Sequence, residues 1–131
     1  MSLLNNKPLY KKDIDKIVNK FEENNIVNCK ECGYDIIKSP IPRLNVIGTY
    51  MVASRLGKPK SIVPMCDGGI AIIYGKKNWL FRTKYYLYIE IKDRTANVHM
   101  QINGKTTIDE KNIKWAEIYY LILERTCFDR E

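Results

Sequence analysis

Histidine and glutamine are almost missing from this chain, with one of each, His99 and Gln101. A centre built on several histidines is therefore excluded. Apolar runs are short, and none approaches the ~18 residues of a membrane-spanning helix. The first residues, MSLLNNKPLYKK, lack the apolar stretch of a secretory leader, so an intracellular protein, cytoplasmic or nuclear, is expected. Cysteines number only four, and in that setting they read as thiols or metal ligands rather than disulfides. Repeats, low-complexity tracts and long linkers are also lacking. Residues 1–131 therefore read as a single domain.

What the chain has in excess is positive charge. It carries 22 Lys and Arg against 15 Asp and Glu, a formal net charge of +7. Such an excess favours an acidic partner, nucleic acid being the commonest, and carries no information on sequence specificity. Hydrophobic residues make up 45%, enough for a packed core and too many for disorder. The abundance of Lys, Ile and Asn fits an AT-rich genome.

Three segments carry helical signals. A helix is expected over 13–25: Tyr10 just before it and Ile14, Ile17, Val18 and Phe21 within it recur at helical spacing, Asp13 is placed to cap the start and Asn24-Asn25 to end it. Residues 43–56 lie between Pro42 and Gly57, which favours a helix over the strand that Val46 to Tyr50 would also allow. After Asn103-Gly104, Thr107 and Glu110 have capping-box spacing and predict a core helix running to about Arg125. Residues 26–40 read as irregular.

Between the second and third helices lies strand material. Residues 69–74 (GIAIIY) are apolar on both faces. Residues 84–92 alternate, with Leu87, Ile89 and Ile91 on one side and Tyr86, Tyr88, Glu90 and Lys92 on the other. Residues 96–102 alternate likewise. A reversal at Asp93-Arg94 pairs Ile89 with Val98, Glu90 with Asn97 and Tyr88 with His99; slipping by one residue would mix the faces. The expected class is α+β: a three-stranded antiparallel meander over about 69–102, packed with an N-terminal helix, a second helix and a C-terminal core helix.

The polar face of that meander is the first candidate site. Glu90-Ile91-Lys92 sets a carboxylate and an ammonium on one side of a strand, and Asp67 precedes the strand 69–74. Phosphodiester hydrolysis uses carboxylates to hold Mg²⁺ and a nearby cation to offset developing charge. The pattern Asp67…Glu90-Ile91-Lys92, with a helix on either side, resembles the PD-(D/E)xK nuclease superfamily, most closely the archaeal Holliday-junction resolvases and related viral modules. That resemblance implies a Mg²⁺-dependent nuclease over about 13–125. Asp67 and Glu90 would bind metal, Lys92 would assist catalysis, and Asp13, with Asp15 second, would add an acid from the first helix.

Register decides whether Asp67 meets Glu90 and Lys92. If 75–78 is a tight turn, Asp67 lies opposite Tyr86, about 13 Å from Glu90. If 75–83 is instead a wide loop, Asp67 faces Glu90 to Lys92. That segment, GKKNWLFRT, interleaves Lys76, Lys77 and Arg82 with Trp79 and Phe81, as a phosphate- and base-contacting loop would, though the two aromatics equally suit the core of a continued strand.

The same face also supports a non-catalytic nucleic-acid binder. Tyr86 and Tyr88 would stack bases while Lys58, Lys60, Lys76, Lys77, Arg82 and Lys84 contact phosphates. The exposed tyrosines would serve equally in a protein–protein adaptor, such as a viral factor on a host target, or in a homodimer. Finally, Cys29-x-x-Cys32-Gly has the spacing of a zinc knuckle. Cys66 is the third candidate ligand, with Cys127 or His99 the fourth; reduced, unliganded thiols are the alternative.

Overall fold

The computed structural model describes residues 10–23, 26–28, 35–37, 40–78 and 83–125. Among them, three helices, α1 (Lys11–Glu22), α2 (Arg43–Leu56) and α3 (Trp115–Arg125), accompany seven strands. A two-stranded antiparallel pair joins β1 (Ile26–Asn28) and β2 (Asp35–Ile37). The main sheet is five-stranded and antiparallel, in chain order: β3 (Ser61–Pro64), β4 (Ile70–Asn78), β5 (Thr83–Lys92), β6 (Thr95–Ile102) and β7 (Lys105–Lys114). The α+β class holds, and the three-strand expectation is corrected to five.

Alternation builds the sheet. Ile70, Ile72 and Tyr74 of β4, Leu87, Ile89 and Ile91 of β5, and Val98 and Met100 of β6 are buried on one face. Each fully buried Leu or Ile there contributes about 1.5–3 kcal/mol relative to an exposed one. The expected register holds, with Ile89 opposite Val98, Glu90 opposite Asn97 and Tyr88 opposite His99. The reversal is a two-residue turn with positive φ at both Asp93 (52°) and Arg94 (74°), the turn geometry whose twist matches that of a hairpin.

Local signals lose to strand pairing in two places. Asn103 and Gly104, with φ of 52° and 82°, do not end the strand region but turn it into β7. Ile108 is buried opposite Met100, and Thr107 Oγ1 donates to the Met100 carbonyl instead of capping a helix. The C-terminal helix therefore starts at Trp115, directly after β7. Likewise neither alternative for 75–83 forms, the tight turn at 75–78 or the wide loop from Gly75, because β4 runs on to Asn78 and pairs residue by residue with β5, Tyr74 opposite Leu87 and Asn78 opposite Thr83. Within 26–40, read as irregular, β1 and β2 pair; β3 was also unforeseen.

Helices α2 and α3 cover the apolar face of the sheet and pack on each other. Gly48 makes that contact close: a Cβ there would lie 2.6 Å from the Trp115 ring. Helix α1 packs on α2 and β3, where Ile14, Val18, Val46, Tyr50, Ala53 and Ile70 form a second cluster. Among the described residues no helix covers the opposite face of the sheet, and none is long and apolar enough to cross a membrane.

Candidate nucleic-acid interface

Because β5 alternates, every outward residue of this strand falls on the uncovered face. Tyr86 is 43% exposed, Tyr88 is half-buried with its hydroxyl 3.9 Å from Met65 Sδ, Glu90 is half-buried and Lys92 exposed. Opposite them on β6 lie Gln101, His99, Asn97 and Thr95. Gln101 Nε2 is 3.2 Å from His99 Nε2, and His99 Nδ1 is 3.7 Å from Asp109 Oδ1 on β7.

On the other flank of β5, Gly75 is the register partner of Tyr86. It has no side chain, and Lys60 occupies the space: its Cδ and Nζ lie 3.4 and 3.7 Å from where a Cβ would stand. An ammonium thus lies on the open face beside the strand position of Tyr86. Lys58 and Lys84 are exposed, Lys77 pairs in register with Lys84, and Lys76 with Tyr85. Arg82, Trp79 and Phe81 lie outside the described residues.

At the far end of β5 the structure brings Asp67 to Lys92, Oδ2 to Nζ at 3.2 Å. The other carboxylate oxygen accepts the Gly69 N–H at 3.0 Å. Partial burial opposes ionisation of Asp67, but the Gly69 amide and the Lys92 ammonium outweigh it and hold the carboxyl below its ordinary value. Lys92 is raised in turn, first by its hydrogen bond to Asp67. The pairing follows from the register: long strands, with Ile70 opposite Ile91, put Asp67 next to Lys92 without a wide loop from Gly75.

A residue that the sequence reading missed fixes this end. Asn45 of α2 is 1% exposed. Its Nδ2 donates to the Gly68 carbonyl at 2.8 Å, and its Oδ1 accepts from Asp93 N–H at 3.0 Å. One buried side chain thus holds both the loop bearing Asp67 and the turn following Lys92. A polar asparagine on a largely apolar helix was the available signal.

The other acids lie apart. Asp13 is exposed in the first turn of α1. Asp15 instead faces α2, where it accepts from the Tyr50 hydroxyl, pairs with Lys11 at 3.3 Å and lies 3.7 Å from Arg43. Beside Glu90 and Lys92 lies a polar cleft of about 220 Å³, lined also by Asp93, Thr95, Asn97 and Asn112. Among the described residues, no three His, Cys, Asp or Glu side chains gather as ligands of one ion. Both Asp67 oxygens are engaged, so Mg²⁺ shared with Glu90 would have to displace Lys92. Cys66 is half-buried in the loop before Asp67, while Cys29, Cys32 and Cys127 lie outside the described residues.

Comparison with protein-family models, with curated proteins and with solved structures returns no match.

Proposed function

We propose that the chain is a nucleic-acid-acting protein that lays a single strand across the open face of its sheet. The observation carrying this reading is the uncovered strand β5, with Tyr86 and Tyr88 two residues apart and Lys60 over Gly75 at the side of Tyr86. Alternate residues of a strand are about 6.6 Å apart, which suits successive unstacked bases on aromatic platforms. The net charge of +7 supplies attraction to phosphates. Sequence selectivity is not implied, since stacking accepts any base. The test is filter binding of an end-labelled single strand at rising salt. Retention that falls with salt supports the reading, and no retention at low salt overturns it.

A metal-dependent nuclease is the second reading, favoured by the Asp67–Lys92 contact on the same rim as Glu90. Asp67 and Glu90 are the residues that would hold Mg²⁺, which would polarise a phosphodiester; Lys92 is the cation beside them. Incubation of single-stranded, duplex and branched DNA with and without Mg²⁺ decides it. Cleavage lost in Glu90→Ala supports the enzyme, and intact substrate throughout removes it. Zinc is a separate proposal, a structural ion on Cys29, Cys32 and Cys66, read by metal analysis of the purified chain.

A further inference from the structure

Seven large hydrophobic side chains of the described residues are exposed, and five of them lie on the outside of the helical layer: Leu44, Ile47 and Met51 on α2, Tyr120 and Leu123 on α3. The other two, Val63 and Tyr86, belong to the sheet. The five are not scattered. Leu44, Ile47 and Met51 stand at i, i+3 and i+7, one stripe along α2 that Arg55 continues four residues later. On α3, Glu117, Tyr120 and Glu124 stand at the same spacing, with Leu123 beside them.

The two stripes adjoin. Gly48 of α2 touches Trp115, the first residue of α3, and the Arg55 guanidinium lies 5.2 and 5.5 Å from the ring centroids of Tyr119 and Tyr120. The helices therefore run side by side in the same direction, and their exposed stripes form one apolar surface. Exposed apolar side chains gathered on adjoining stripes, rather than scattered singly, are characteristic of contact surfaces.

Charge selects the occupant. Helix α2 carries two arginines, Arg43 and Arg55, and no acid. The exposed stripe of α3 carries Glu117 and Glu124. Arg43 turns to Asp15 and Tyr50, so the cation of the α2 stripe is Arg55, and an exposed cation on one stripe beside carboxylates on the next makes the patch complementary to itself. A two-fold axis running along the helices sets α2 of one copy over α3 of the other, twice over, so each Arg55 meets the partner's acidic stripe. Turning the axis across the helices would set α2 on α2 and α3 on α3, like charge on like charge. We infer that this face docks a second copy of the chain in an isologous dimer, with α2 of each copy packed against α3 of the other. Such a dimer leaves both open sheet faces outward, and it stands whether or not those faces bind nucleic acid.

Sedimentation velocity of the full chain over a concentration series tests it. The expected result is a species of twice the 15.4 kDa chain mass whose share grows with concentration. Met51→Glu and Ile47→Glu, each at a solvent-exposed site of the free chain, weaken association by about tenfold or more by burying a carboxylate in the seam, while Val63→Glu does not. Arg55→Glu weakens it as well, and Glu117→Arg with Glu124→Arg added to that variant restores it. Circular dichroism shows that each variant is folded, and Ile47→Glu stands in if Met51→Glu is not. A chain that stays at the monomer mass at every concentration overturns the inference, as does a dimer indifferent to both seam variants. A dimer unaffected by Arg55→Glu overturns the α2-on-α3 arrangement.

Discussion

Replacing Asn45 by alanine removes a buried side chain that bonds both the 65–69 loop and the 93–94 turn. Two hydrogen bonds are lost, of 2.8 and 3.0 Å, and the Gly68 carbonyl and Asp93 N–H are left without these partners. An orphaned buried group costs about 1–3 kcal/mol, so the pair costs about 2–4 kcal/mol once partial access to water at the turn is allowed for. The turn is also the place where Asp93 and Arg94 hold positive φ. Loss of the Asn45 anchor therefore frees a strained turn as well as a loop. Urea denaturation of wild type and Asn45→Ala, at equal m, reads the difference directly. Hydrogen exchange should show faster exchange at Asp93 and Gly69 than across the core strands. A loss under about 1 kcal/mol with unchanged exchange at both sites would refute the assignment of Asn45 as the tie.

Gly48→Ala should cost about 1–3 kcal/mol in thermal or urea unfolding, because its Cβ would stand 2.6 Å from the Trp115 ring and force the helices apart. Arg94→Gly should stabilise the chain by about 0.4–1 kcal/mol in urea unfolding, because relief of the left-handed conformation at φ 74° outweighs glycine's greater freedom when unfolded; lower stability than wild type would count against strain at this turn. Asp67 and Asp15 both have folded-state values below the ordinary 3.8, so the unfolded chain takes up their protons first. Their contribution is present above that pH and is lost as pH falls through the depressed values. Asp67→Asn should thus flatten the acid limb of a stability–pH curve, by under about 1 kcal/mol because the pair is exposed.

The meander was legible because β5 and β6 show clean alternation, and alternation fixes faces and register together. Helix α2 was harder to read. It is buried on most sides, with Asn45, Val46, Thr49, Tyr50, Val52 and Ala53 all inside, so its stripe is blurred and a strand seemed an alternative. The capping-box spacing of Thr107 and Glu110 misled because the pairing of β7 with β6 outweighs a local motif that has no other support. Strand β3 is four residues long, too short for a period to show. The Asp67–Lys92 pairing depended on the length of β4 past Gly75, and a glycine followed by two lysines reads as a turn until strand pairing is seen. Asn45 joins residues 23 and 48 positions away, a distance no local pattern encodes.

The proposed face is tested most directly by fluorescence anisotropy of a labelled single-stranded oligonucleotide titrated with wild type and with Tyr86→Ala/Tyr88→Ala. Stacking on two aromatic side chains predicts salt-sensitive binding by wild type. It also predicts a loss of about 1–3 kcal/mol per ring removed, with the circular dichroism spectrum unchanged. Equal binding by the two proteins would contradict the open sheet face as the place where the strand lies.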